Sequence, residues 1–217
     1  MIKIKKRPPR WKRRAEHRPD EIIAAALEVF ADKGFAAATV QEVARRADVA
    51  KSLIYAYFDT KEELFRAVVQ KRLAPNLESV QAAAQVFDGP FTELVPAILI
   101  GIANAMRSPS LPAIAKVVIG ESRNFPDLAR IWHDDLLAKT VAVLAEVIRR
   151  AQARQEVKPG DARLYVFSIV GPMVMAMLYR SVFQGISREP PDLEALAAQH
   201  AQAILPGLLC KPPRRKA

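Results

Sequence analysis

The side chains able to do covalent or acid–base chemistry are few and scattered. His17, His133 and His200 lie far apart, and none has a second His or a Cys at metal-ligand spacing, so a metal site is not expected. His133-Asp134-Asp135 is the most enzyme-like cluster, because a neighbouring carboxylate can orient an imidazole. Consecutive helical residues point in different directions, however, and the cluster reads as a solvated helix face. Ser168 and Ser181 lack a nucleophile elbow, Cys210 has no His nearer than His200, and the eight glycines make no phosphate-cradling loop. No catalytic residue, metal or cofactor is expected.

The abundant chemistry is cationic. Residues 1–18 carry nine Lys or Arg against Glu16, and Lys211, Arg214, Arg215 and Lys216 add four more. These two ends hold +12 of a formal +10, which leaves residues 19–210 at −2. Basic arms on a near-neutral body point to a polyanion, with nucleic acid ahead of a membrane because no amphipathic apolar stripe accompanies the bases. No uncharged stretch reaches the roughly 20 apolar residues of a spanning helix. The basic N-terminus has no apolar block of a signal peptide, and the single Cys permits no internal disulfide. A reducing cytoplasm is the expected location.

The elements that must position these groups are helices. Apolar residues recur at helical spacing after residue 19, and no run alternates long enough for a sheet, so the fold class is all-α. Pro19 suits the first position of a helix whose face is Ile22, Ile23, Ala26, Leu27 and Phe30, and Gly34 ends it. Thr39 and Glu42 form a capping box for a short second helix. Asp48 to Ala50 leaves room only for a tight turn before a third helix between Lys51 and Phe58. Thr60 and Glu63 cap a long fourth helix running towards Phe87, with a kink expected at Pro75. Further helices are predicted at about 91–107, 110–121, 126–154, 161–185 and 191–206, with breaks at Pro109, Pro126, Pro159-Gly160 and Pro190-Pro191.

Two short helices joined by a tight turn and braced by a longer one make a helix-turn-helix unit, whose second helix can enter a major groove. Ile54, Phe58 and Val49 would face the core, leaving Lys51, Ser52, Leu53, Tyr55 and Tyr57 at the surface. Three ordinary core helices are the bland alternative.

Residues 19–73 resemble the N-terminal domain of the tetracycline-repressor (TetR) family. The resemblance rests on Phe30-Ala-Asp-Lys-Gly34-Phe35, on Thr39-Val40-Gln41-Glu42-Val43-Ala44, and on Ile54-Tyr55-Ala56-Tyr57-Phe58-Asp59-Thr60-Lys61-Glu62-Glu63-Leu64. It implies base contacts from Gln41, Lys51, Ser52 and Leu53, and phosphate contacts from Thr39, Tyr55, Tyr57 and Lys61. Thr39 and Lys61 also lie at helix N-termini, where free N–H groups favour phosphate. Two departures stand out: Asp48 where the family usually has Gly in the turn, and Ser52 in place of a frequent Gly. Asp tolerates the left-handed conformation, but its charge opposes phosphate. Val117 to Leu128 resembles a C-terminal region found in relatives of multidrug-efflux repressors.

The resemblance therefore implies a transcriptional repressor that binds double-stranded DNA at an inverted repeat as a homodimer and is released by a small hydrophobic effector. The expected division is a flexible basic arm over 1–18, a DNA-binding domain over 19–60, an effector-binding and dimerisation domain over 61–209, and a basic tail over 210–217. Dimerisation is expected on the last two long helices, at Leu178 and Val182. Met106, Trp132, Met173, Met177 and Phe183 are candidate walls of a pocket for a neutral or weakly polar hydrophobic effector, the alternative being that Arg107, Arg123 or Arg180 selects an anion. Gly171-Pro172 should free the carbonyl of Ser168 as one acceptor in that pocket. The alternatives are a nonspecific DNA-binding architectural protein, which would show no preferred operator, and a helical hydrolase, which would turn over substrate without DNA.

Overall fold

The computed structural model describes residues 10–210. Among them run α1 (Arg10–Ala37), α2 (Val40–Arg46), α3 (Lys51–Tyr55), α4 (Lys61–Val86), α5 (Phe91–Arg107), α6 (Ser110–Glu121), α7 (Pro126–Trp132), α8 (Ala138–Ala153), α9 (Ala162–Val182) and α10 (Leu193–Leu208). A π-helical turn, His133–Leu137, joins α7 to α8, so the helix expected over 126–154 is continuous but shifts register once. The only strand-like pairing among the described residues is the bridge between Val157 and Leu209.

The start of α1 and the end of α3 differ most from expectation, while α9 and α10, expected at about 161–185 and 191–206, run over 162–182 and 193–208. α1 begins at Arg10 and not at Pro19, so 10–18 is helical and not an irregular arm. Arg, Lys, Ala and Glu are good helix formers, and they carry the helix through Pro19 although its ring removes one bond to the carbonyl four residues back and crowds that carbonyl. Residues 1–9 of the expected arm and 211–217 of the tail lie outside the described residues. α3 stops at Tyr55, three residues early, and Tyr57 and Phe58 N–H groups turn back to the Ile54 carbonyl at 3.0 and 2.9 Å. α4 passes through Pro75 as one helix.

Two apolar cores organise the chain. In the first, the rings of Phe30, Phe35 and Phe65 lie 5.4 to 5.7 Å apart with Ile22, Ile54, Leu64 and Val68 around them. Ile114, Val117 and Val118 of α6 and Leu128 and Ile131 of α7 complete it, so the later helices are built into the core of the N-terminal unit. Each such fully buried side chain contributes about 1.5–3 kcal/mol. The second core joins α5, α8, α9 and α10 through Leu99, Leu144, Ile148, Met173 and Ala197.

By length and composition alone α9 could cross a membrane. Here its inner face packs on α5, α6, α8 and α10. Its outer face leaves Leu164, Phe167, Val174, Met175 and Val182 exposed, at helical spacing. The helix continues through Pro172, whose missing N–H frees the Ser168 carbonyl as expected. That carbonyl is not left to a ligand, because His200 Nε2 of α10 sits 3.2 Å from it and 3.1 Å from the Ile169 carbonyl.

Candidate nucleic-acid interface

Thr39 opens α2 by accepting the Glu42 N–H at 3.2 Å. The other half of the expected capping box does not form, because the Glu42 carboxylate turns to Lys33 and Arg45. The Lys33 ammonium is the main cause that holds the Glu42 carboxyl below its ordinary value. At α4 the hydroxyl of Thr60 accepts from Glu63 N–H at 3.1 Å while Glu63 reaches back to Asp59 N–H at 2.8 Å.

The turn between α2 and α3 closes with Val49 N–H on the Ala44 carbonyl at 3.0 Å. Asp48 occupies it at φ 52°, the left-handed conformation the sequence reading required. Ile54 is buried, and Val49 and Phe58 pack half-buried against the same core. This anchoring turns the remaining side chains of α3 outward.

Thr39 and Gln41 of α2 and Lys51 of α3 line one surface hollow, together with Arg45 and Val49. Ser52, Tyr55 and Tyr57 are exposed beside it, and Leu53 is half-buried. Lys51 Nζ lies 5.7 Å from the Tyr55 ring centroid, a weak cation–π contact that keeps the ammonium along the helix. Arg46 is turned away from this face by Asp32 at 2.7 Å and Glu28 at 3.6 Å. Few free cations therefore remain on α2.

Lys61 is the exception among the expected contacts. Its ammonium points inward, donating to the carbonyls of Phe35 at 2.6 Å and Ala38 at 3.1 Å, and it lies 4.3 Å over the Phe35 ring. It is a brace of the α1–α2 connection, and local helix-terminus logic could not see carbonyls more than twenty residues away.

A second brace escaped sequence reading altogether. The Glu121 carboxylate at the end of α6 accepts Phe35 N–H at 2.6 Å and Ala36 N–H at 2.5 Å. The close approach requires Gly34, which has φ 78° and ψ 175° and whose added Cβ would collide with Glu121 Oε1. The one available signal was Gly34 itself, which ends a helix and leaves nearby backbone groups needing partners.

The expected pocket walls separate into two groups. Met106, Met177 and Phe183 line a cleft between α1, α6 and the end of α9. Met173 is instead fully buried in the second core, and Trp132 packs half-buried between the two cores, because the helices carrying them face inward at those points. At the expected dimer surface Val182 is exposed, whereas Leu178 is half-buried against the second core.

An exposed short helix, fixed by a tight turn on a three-helix unit and followed by a helical body, defines a helix-turn-helix DNA-binding regulator. The chain belongs to the TetR family. A family model described as "Bacterial regulatory proteins, tetR family" matches residues 22–68, and one described as "Tetracyclin repressor-like, C-terminal domain" matches residues 89–198. The HTH-type transcriptional activator FasR of Mycolicibacterium smegmatis is 37% identical over 83 residues, covering 36% of this chain and 38% of FasR. The match thus spans well under half of that relative. The HTH-type transcriptional repressor BepR of Brucella suis is 25% identical over 178 residues, covering 78% of this chain and 85% of BepR. The crystal structure of the transcriptional regulator FadR from Bacillus subtilis, in complex with stearoyl-CoA, has a TM-score of 0.70 at 20% identity, covering 86% of this chain and 96% of that one. At that identity the likeness shows the fold.

Proposed function

We propose that this regulator is a repressor that binds an inverted-repeat operator as a homodimer and is released by a small hydrophobic effector. The observation that carries the reading is the grouping of Thr39, Gln41 and Lys51 around one exposed hollow, with Ser52, Tyr55 and Tyr57 alongside. Gln41, Lys51, Ser52 and Leu53 read base edges, and Thr39, Tyr55 and Tyr57 hold phosphates. One such unit reads too few bases to find a site among genomic competitors, so two must act one or more helical turns apart, roughly 34 Å or a multiple of it.

Residues up to 60 supply DNA contact, with the basic N-terminus adding phosphate attraction, and the later helices supply dimerisation and effector binding. The exposed stripe of α9, including Val182, supports a surface for a second copy. The fold shared with FadR, which carries stearoyl-CoA, supports a hydrophobic effector in the second domain.

Genomic fragments selected on the purified full chain test the reading. An enriched inverted repeat upstream of genes whose transcription rises on deletion supports repression. Enrichment with falling transcription reverses the sign, and no enrichment over bulk DNA leaves only architectural binding.

A further inference from the structure

A cleft of about 630 Å³ opens between α1, α6 and the end of α9. Met106, Met177 and Phe183 give it an apolar wall, while Arg107, Lys116 and Arg180 line it against one carboxylate, Glu121. That carboxylate is already held by two backbone N–H groups. Arg107 pairs with Glu194 in an exposed contact of the kind a competing anion readily displaces. Arg180 donates to the Pro191 carbonyl at 2.8 Å, and Lys116 reaches the Ser181 carbonyl only at 3.5 Å. Gly34 and Ala31 close one side, so an occupant touches the turn that holds α2.

Resting on the reading that an effector releases this regulator, we propose that the cleft takes an amphipathic anion and transmits its presence to α2 through Glu121. The anionic group meets Lys116 and Arg180, and the apolar body lies on Met106, Met177 and Phe183, whose methionines adapt to varied shapes. A second negative charge beside Glu121 favours the conformer in which that carboxylate has left Phe35 and Ala36. The occupant binds this conformer better, and its differential affinity alone shifts the population.

The full chain is titrated with 1-anilinonaphthalene-8-sulfonate and with N-phenyl-1-naphthylamine, which has the same aromatic frame without the charge. The sulfonate should bind one saturable site per chain, and Lys116→Gln should weaken it about tenfold, a charge-assisted contact's worth, with the neutral probe unchanged. Decanoate or decyl phosphate should displace it, the stronger of the two indicating carboxylate or phosphate, with decanol inert. Equal response of both probes to Lys116→Gln, or displacement by decanol as effective as by the anions, overturns the proposal.

Transmission is read by hydrogen exchange at the Phe35 and Ala36 amides. Saturating sulfonate should speed both in the natural protein, and Glu121→Gln should raise the starting rate and abolish the response while retaining the probe. Glu121→Asp serves the same purpose should the amide variant fail to fold. Exchange unmoved by the bound probe in the natural protein overturns the coupling. These readouts use no DNA, so they stand or fall apart from operator selection.

Discussion

Replacing Lys61 by Met separates an internal brace from a phosphate contact. The substitution keeps most of the stem and removes the ammonium that donates to Phe35 O at 2.6 Å and Ala38 O at 3.1 Å. Hydrogen bonds from a charged donor are worth about 1.5–3 kcal/mol each, and a cation over a ring adds about 0.5–1. Lys61 is half-buried, so solvent and side-chain entropy take back part, and about 2–4 kcal/mol of lost stability is the expected result. A surface lysine serving only phosphate would change stability by no more than about 0.5 kcal/mol.

Urea unfolding at one fixed protein concentration reads the difference, since the proposed dimer would make stability depend on concentration. With a slope of about 3 kcal/mol per M for a chain of this size, the midpoint should fall by roughly 1 M with the slope unchanged. DNA affinity measured across salt, where both forms are folded, should keep its dependence, because an inward lysine releases no counterion. A phosphate contact would instead lower the log–log slope by about 0.9. An unmoved midpoint together with that loss of slope would refute the internal role.

Four further outcomes follow from the geometry. Gly34→Ala should cost about 1–3 kcal/mol for its φ 78°, ψ 175° backbone, with an added penalty from the collision with Glu121 that shrinks in a Glu121→Ala background, as a double-mutant cycle in urea would show. Asp48→Gly suits φ 52° and should leave stability equal or raise it by up to about 1 kcal/mol, while Asp48→Gly and Asp48→Asn both tighten DNA binding by removing a carboxylate from the turn; unchanged affinity in both would place Asp48 away from phosphate. The Glu156 carboxyl is held below its ordinary value first by Arg154 and then by Phe91 N–H at 2.7 Å, so its contribution is full above the ordinary carboxylate range and is lost as pH falls through the depressed value; Glu156→Gln should flatten acid unfolding curves in that window. Val182→Glu, on the exposed stripe of α9, should break the dimer on sedimentation with helical circular dichroism intact.

The helices were readable because each buries one face against a core, which writes a periodic pattern into neighbouring residues. Phe91–Arg107 and Ser110–Glu121 match expectation for that reason. The recognition unit was readable for a different one: Thr39, Thr60 and the left-handed Asp48 are local devices whose partners lie within five residues. What escaped depends on partners far along the chain. Lys61 looked like a free helix N-terminal cation, yet its acceptors lie 23 to 26 residues back. Glu121 sits 85 and 86 residues from the two amides it holds, and His200 takes up the carbonyls of Ser168 and Ile169, which lie 32 and 31 residues away.

The two missed side chains solve one problem. Gly34 breaks α1, and the backbone just beyond it is left with amides and carbonyls that the helix no longer pairs. A carboxylate can take only the amides and an ammonium only the carbonyls, so both signs are needed at a single turn. Lys61 comes from within the N-terminal unit, whereas Glu121 comes from α6, whose Ile114, Val117 and Val118 also fill the first core. Glu121 therefore ties α6 to the segment that precedes α2 through hydrogen bonds of 2.5 and 2.6 Å as well as through packing, and on the proposed reading a shift of α6 would act on α2 across the break at Gly34, which the sequence presents as a simple helix end.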